Sequence, residues 1–584
     1  MTVQELKTSN PRKWYSTLKK ITSYDQHKSE PVTVDSIKHL SSKEQCEIIA
    51  DRFSNISQEY EPLKTEKINI EHFEISDFPS FLPSQVQEKL EQIKTNKATP
   101  PNDIPLKLAK RFASILAIPL CDIINSSISS GQWSKLYKCE YVTPVPKVFP
   151  PKSIEELRSI SGLLLFDKIA EKLISELIIS DMEEKLDSSQ YANQNNISLQ
   201  HYLINMIDKI LSDTDNKNET NAVLAVLYDW KEAFQRQCPK LGIEAFIKCG
   251  VRPSLIPVII SYLQDRTMRV KWHGETSTVR NLNGGGPQGA TFGIWEYLAQ
   301  SNDNAECVES DYKFKFVDDL TVLEKINLLT IGLSSFNSKL SVPSDVLHDC
   351  LYIDSKNLKS QKYLDQIQLW TKNQKMILNQ KKTKVMIFNF TNNYQFTTRL
   401  KLKNENLEIV KESKLLGVIM TDDLKWDRNT QYLIKEGYKR MQILRKAASF
   451  GAPTADKRDI NISYVRSALE QSCQVWNSRL TEQNIINLER VQKSALRIIL
   501  NKQYVNYNDA LEMVNLETLE ERRKYLCLKF AKKSLHGQKT QNMFPLKRKK
   551  QNTIKGEKFY VKNAKTDRLK KSAIPYMQRL LNQY

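Results

Sequence analysis

The stretch "YKFKFVDDLTVL", residues 312–323, sets two aspartates side by side in the middle of an apolar run. The flanks "YKFKFV" and "LTVL" read as paired strands, which predicts a hairpin with Asp318 and Asp319 at its tip. At an effective dielectric of ~20 and a separation of ~5 Å, two such charges repel by roughly 3 kcal/mol. Something must offset that repulsion: a basic side chain, a metal ion, or exposure at a turn. An isolated Asp-Asp pair is most often an exposed turn, so its meaning depends on what accompanies it.

Working outward, "AVLAVLYDW" (222–230) is a continuous apolar run short enough for a buried strand, and it ends at Asp229. Three carboxylates at strand ends would converge on one site. Hard divalent cations such as Mg²⁺ prefer oxygen ligands of this kind. Two cations held there would activate a 3′-hydroxyl and stabilise a leaving pyrophosphate. Between the two aspartate positions lies "NGGGPQGATFG" (283–293), whose glycines let the backbone approach a flat ligand closely. Each element alone is a weak signal; the ordered series is a strong one.

That series resembles the reverse transcriptases of non-LTR (LINE-type) retrotransposons, nearest the jockey-like group. The likeness runs from about residue 76 to beyond 500. "YDWKEAF" resembles motif A, "GGGPQGATFG" motif B, "FVDD" motif C, "LNQKKTKVMIF" motif D and "KLLGVIM" motif E. "YVTPVPKVFPPKSIEELRSISGL" resembles the first two finger motifs, and "QVWNSRLTEQNIINLERVQKSALRIIL" the thumb segment. The resemblance implies an α+β right-hand polymerase with helical fingers, an antiparallel palm sheet and a helical thumb. It implies Asp229 and Asp318 as metal ligands supported by Asp319, with Mg²⁺ as the cofactor and Mn²⁺ as an alternative. Lys147 and Arg158 match positions that contact the incoming triphosphate, and Lys382 matches one that protonates pyrophosphate. Gln288 and Gly289 match positions beside the nucleotide and the primer-template. The implied partners are an RNA template, a DNA primer or target, and dNTPs.

Phe234, five residues after Asp229, separates two polymerase classes. RNA-dependent RNA polymerases usually carry an Asp there to bond the ribose 2′-OH; an aromatic ring crowds that hydroxyl and favours dNTPs. The chain also departs from the family pattern. Gln235 stands where a second Asp is common, Ser159 replaces the Pro of Arg-Pro-Ile, and "FGIWEYLA" replaces a Leu-Gly-Pro run. None of these removes a metal ligand. The alternative reading is a decayed or co-opted RNA-binding remnant.

Bulk properties agree with a nucleic-acid partner. The 584 residues carry 87 Lys and Arg against 67 Asp and Glu, a net charge of +20. From Lys532 to Lys571 there are fourteen basic residues against two acids. The start is polar, and no stretch approaches the ~20 apolar residues of a membrane span. Nine scattered cysteines without a CxxC pair read as reduced thiols, and the seven histidines form no zinc-ligand set. These features predict residence in the cytoplasm and nucleus.

The expected organisation is an N-terminal helical or linker region (1–75), fingers and palm (76–427), a thumb with C-terminal helices (428–539), and a basic tail (540–584). In "EQNIINLERVQKSALRIIL" the stripe Ile485, Leu488, Val491, Ala495 and Ile499 is apolar, while Arg490, Lys493 and Arg497 share another face that would track a duplex backbone. The tail suits phosphate binding better than a packed subdomain, although Ile574, Met577, Leu580 and Leu581 would allow a short docking helix. The run Lys547-Arg548-Lys549-Lys550 reads as an import signal or an RNA clamp. No apurinic-type endonuclease or RNase H series is evident. The chain is therefore expected to be the distal part of a larger polyprotein or a 5′-truncated copy.

Overall fold

The computed structural model describes residues 32–64, 78–216 (except 98 and 102), 220–327, 350–390, 395–547 (except 538) and 559–583. Its centre is a five-stranded sheet. Ala222–Tyr228 lies in the middle, flanked by Asp319–Ile326 and Lys384–Asn389, with Lys313–Phe316 and Glu408–Ile409 at the edges. The contacts are antiparallel, except that Glu408–Ile409 runs parallel to Lys384–Asn389, so the sheet is not the purely antiparallel one expected.

The apolar run of the central strand is continuous because both faces of the sheet are covered. Val223, Ala225 and Leu227 enter a core shared with the helix Leu199–Asp213 and the C-terminal helices. Ala222, Leu224, Val226 and Tyr228 enter a second core beneath the helix Lys359–Asn373. Each fully buried Val or Leu contributes roughly 1.5–3 kcal/mol, and the period of two divides that gain between the faces.

A second sheet takes its strands from distant parts of the chain. Leu157–Gly162 pairs antiparallel with Cys139–Pro146, which runs parallel to Arg266–Trp272. The latter forms a hairpin with Arg280–Leu282 around His273 and Gly274. The helix Ser42–Asn55 lies on this sheet through Cys46, Ile49, Ala50 and Phe53. Its start carries a capping box, in which Ser41 and Glu44 satisfy each other's backbone donors.

The segment resembling motif E, "KLLGVIM", forms a tight hairpin of Glu412–Leu415 with Val418–Thr421. Leu416 and Gly417 both take positive φ between the two arms. Beyond it the chain is helical: Asp427–Ser449 packs against Glu482–Leu500, with Gly451 in the left-handed region just past the first helix.

Two expectations are revised. The helix Ala113–Ser130 is 18 residues long and apolar enough to cross a membrane, a length and composition that a core helix shares. Its Ala117, Leu120, Cys121, Ile124 and Ile128 face a protein core, while Ile115 and Ile118 are exposed. The C-terminal region is not a bare phosphate-binding arm over 559–583. Ala573–Gln583 is a docked helix that buries Ile574, Met577, Leu580 and Leu581. Lys562 pairs with Asp208 at 2.7 Å, and Asp215 accepts from the amides of Lys565 and Thr566. Residues 548–550 of the basic run lie outside the described residues.

Candidate active site

The sheet register brings the predicted residues together. Tyr228 pairs with Leu320, and Leu227 with Lys384. One step further the first register sets Asp229 against Asp319; the second pairing shifts past Leu227, and Lys382 lies in the turn between Leu378 and the strand Lys384–Asn389. Asp229 is fixed on that side by its neighbours. Its amide donates to Thr383 Oγ1 at 3.3 Å, and its carbonyl accepts from the Asn379 amide at 2.8 Å. Trp230 bridges to Leu378, which extends the pairing past the strand end.

Asp318 occupies the hairpin tip, as expected. Phe316 pairs with Asp319, leaving Val317 and Asp318 as a two-residue loop. Val317 has φ of 55°, an uncommon conformation for a β-branched residue. With positive φ confined to the first loop position, the turn has the type II′ sign pattern, which matches the twist of its arms. The side chain of Asp318 is exposed, whereas Asp229 and Asp319 are half-buried.

The three carboxylates act on one another. Burial, then Asp318 and Asp229, push the Asp319 carboxyl up to about 7. Burial raises Asp229 against the pull of Lys382 and Asn379. Asp318 reaches solvent at the tip, yet the protein packed around it and then Asp229 raise its carboxyl, against its own backbone and Arg158. Asp229 Oδ2 is buried and accepts no hydrogen bond. Among the described residues no three His, Cys, Asp or Glu side chains form a ready-made metal-holding group. Like charges spread apart lower their repulsion. The donor set nevertheless suits a hard divalent cation: it is all oxygen, it includes an unpaired buried atom, and its raised proton affinities are what a cation would reverse.

Cations face these acids. Arg158 lies on Leu157–Gly162 with its side chain opposite to the buried Ser159. Lys147 follows the paired strand; its ammonium donates to the Glu155 carbonyl at 2.9 Å. Burial lowers the Lys147 pKa; Glu232 opposes that, and Lys382, Arg52 and Arg158 add to it. Lys147, Arg158 and Lys382 thus share one region with the aspartates. Arg52, on the N-terminal helix 42–55, belongs to it too and escaped sequence reasoning. A lone arginine on an amphipathic helix carries no signal of a partner some 180 positions away.

Phe234 is half-buried, its ring 5.2 Å from that of Tyr297. Its carbonyl accepts from the Gly286 amide at 3.0 Å, which ties this loop to the glycine-rich one. The Gln288 carbonyl accepts from the Ser161 amide at 2.8 Å, and Gly289, at φ 104°, is exposed. The glycines before them answer to the protein rather than to a flat ligand. A Cβ on Gly284 would lie 2.4 Å from the Tyr60 ring, and one on Gly286 2.0 Å from Gln237 Oε1. The two departures from the family pattern meet each other: Gln235 Nε2 donates to Ser159 Oγ at 3.0 Å.

On the helix Glu482–Leu500, Leu488, Val491, Ala495 and Ile499 are buried as expected. Arg490 donates to Asn487, while Lys493 and Arg497 lie 4.8 and 5.3 Å from the Tyr507 and Tyr504 rings. The two tyrosines add stacking surface to what sequence suggested as a purely basic face.

No family model matches the chain. Relatives from Drosophila melanogaster do. The probable RNA-directed DNA polymerase from transposon BS is 24% identical over 455 residues, 75% of this chain. The RNA-directed DNA polymerase from mobile element jockey is 24% identical over 448 residues, 71% of this chain. The chain is similar to the polymerases of non-LTR retrotransposons. The probable RNA-directed DNA polymerase from transposon X-element adds 28% identity over 230 residues, 38% of this chain. These matches cover 47%, 45% and 24% of the relatives, so the chain spans less than half the length of the curated relatives it matches.

Proposed function

We propose that the chain is an RNA-directed DNA polymerase of a non-LTR retrotransposon, copying element RNA into DNA from a primer 3′-hydroxyl. In this reading the five-stranded sheet is the palm, the strands and helices around Lys147 and Arg158 are the fingers, and the helices after Asp427 are the thumb. The observation that carries it is the register that sets Asp229 against Asp319 at the strand ends, with Lys382 near enough to pull on the Asp229 carboxyl and a hairpin tip whose Asp318 feels Arg158.

Asp229 and Asp318 would hold Mg²⁺, or Mn²⁺ in its place, with Asp319 lending charge from the adjacent register position. Bound there, the cations would lower the pKa of the 3′-hydroxyl and stabilise the leaving pyrophosphate. Lys147 and Arg158 would pair with the triphosphate, charge against charge. Lys382 would donate a proton to the departing pyrophosphate. Phe234 would stand against the sugar's 2′ carbon, excluding a hydroxyl. Arg490, Lys493 and Arg497 would follow the template–primer backbone without reading its sequence.

Polymerisation on a primed RNA template with Mg²⁺ tests the assignment. Asp318→Asn removes a charge while keeping the shape. It should lower the rate by at least about 100-fold and leave template affinity nearly unchanged, because affinity rests on basic surfaces. An inactive parent protein that still binds RNA would instead indicate the non-catalytic remnant.

A further inference from the structure

We infer that Arg52 and Glu232 form a positioning pair that sets the nucleotide cleft from the N-terminal helix, an inference that rests on the polymerase reading above. The loop from Asp229 to Cys238 carries both a carboxylate and Phe234. Within it Glu232 holds φ of 57°, the left-handed region that side chains other than glycine adopt with strain. Its carboxylate is 9% exposed and lies between two guanidinium groups: Arg52, in direct contact, and Arg236, at 3.5 Å. Arg236 is held in turn by Glu59 at 2.7 Å, and the Tyr60 hydroxyl donates to the Arg236 carbonyl at 2.9 Å. Residues 52, 59 and 60 therefore grip the loop at two places.

Arg52 also reaches the other side of the cleft. Its Nε is 4.0 Å from Glu155, the residue whose carbonyl receives the Lys147 ammonium. One side chain thus spans the loop that holds Phe234 and the hairpin that holds Lys147. Without Arg52 this mostly buried carboxylate keeps only Arg236, at 3.5 Å and shared with Glu59, so its charge is under-compensated and the loop would move rather than tolerate the loss. Phe234, two residues on, would shift with it, and so would the Gly286 amide that donates to its carbonyl. The role assigned to Arg52 is positioning and not catalysis, since its contacts are to Glu232 and Glu155.

The test uses the full chain with Arg52→Lys, Arg52→Gln, Glu232→Gln and the Arg52→Gln/Glu232→Gln double variant. Steady-state kinetics on a primed RNA template are paired with hydrogen exchange of residues 229–238. Arg52→Gln and Glu232→Gln should each raise the KM for dNTP about 10-fold with kcat within about threefold, as expected when binding geometry alone is disturbed. The double variant should be no worse than the poorer single one, because both break one pair. Arg52→Lys should recover most of the loss. Exchange over 229–238 should accelerate several-fold in both single variants, while strand 222–228 stays protected. Unchanged KM and exchange in both single variants would overturn the proposal. So would an effect of Arg52→Gln with Glu232→Gln silent, which would make Arg52 a direct phosphate contact. If the parent does not polymerise, the functional reading fails, and the exchange data still decide whether the pair fixes the loop.

Discussion

Two groups of acids in this molecule have similar chemistry and opposite access. In the cleft, Asp318 is exposed and Asp229 and Asp319 are half-buried, with Arg158, Lys147 and Lys382 around them. Elsewhere, Glu140, Asp167, Glu171 and Glu296 surround Arg266 and are all sealed from solvent. Trp133 donates to Asp167 at 3.1 Å, and the Phe292 amide donates to Glu171. One oxygen of each of Glu140, Asp167 and Glu296 nevertheless accepts nothing, and Arg266 Nε and Nη2 donate to nothing. Burial foremost pushes Asp167 up to about 7 and Glu171 and Glu296 up to about 8. The sealed acids are relieved by taking up protons. Those in the cleft have room to be relieved by a cation and its substrate. Access, rather than acid content, separates a candidate site from a structural cluster.

The largest expected effect tests that division directly. Asp229→Asn should reduce polymerisation by at least about 100-fold, while Glu296→Gln should leave it within a few-fold. A comparable loss in both would erase the distinction; a primer-extension assay on both variants decides it.

Removing the sealed cluster's cation comes next. Arg266→Met leaves four buried acids without their counter-charge and should destabilise the fold by about 3–5 kcal/mol at pH 8. The loss should be smaller at pH 5, where the acids are protonated. Urea unfolding at the two pH values measures both.

The parent protein should show the same sign. Acids whose folded pKa lies above the unfolded value contribute stability that is complete below about pH 4 and is lost as pH rises through about 7 to 8. Glu296→Gln removes one such group and should flatten the fall by up to about 1.4 kcal/mol per pH unit between pH 5 and 8. An unchanged slope would show that Glu296 is not part of the titrating set.

The smallest effect concerns what lines the cleft beside its acids. Phe234→Val should raise the ratio of rNTP to dNTP incorporation with DNA synthesis retained. The ring also packs near Tyr297, so a change in melting temperature with no change in the ratio would make Phe234 a packing residue only.

Sequence by itself determined what depends on neighbours a few residues apart. The buried strand 222–228, the aspartate hairpin, the hairpin at His273 and Gly274, and the helix ending before Gly451 all carry local signals: apolar period, turn residues and caps. The motif order also pointed to the relatives that the chain matches. Tertiary structure decided what depends on distant segments. The approach of Lys382 to Asp229 arises from contacts between segments some 154 residues apart. The tight packing at Gly284 and Gly286 answers to Tyr60 and Gln237; the C-terminal helix is held by the core, and the segment leading to it by Asp208 and Asp215. Arg52 resembles any solvated helix residue until the fold brings Glu232 to it. A charge acquires its role from the charge it faces and the water it excludes, and neither is encoded within the window of one helix or strand.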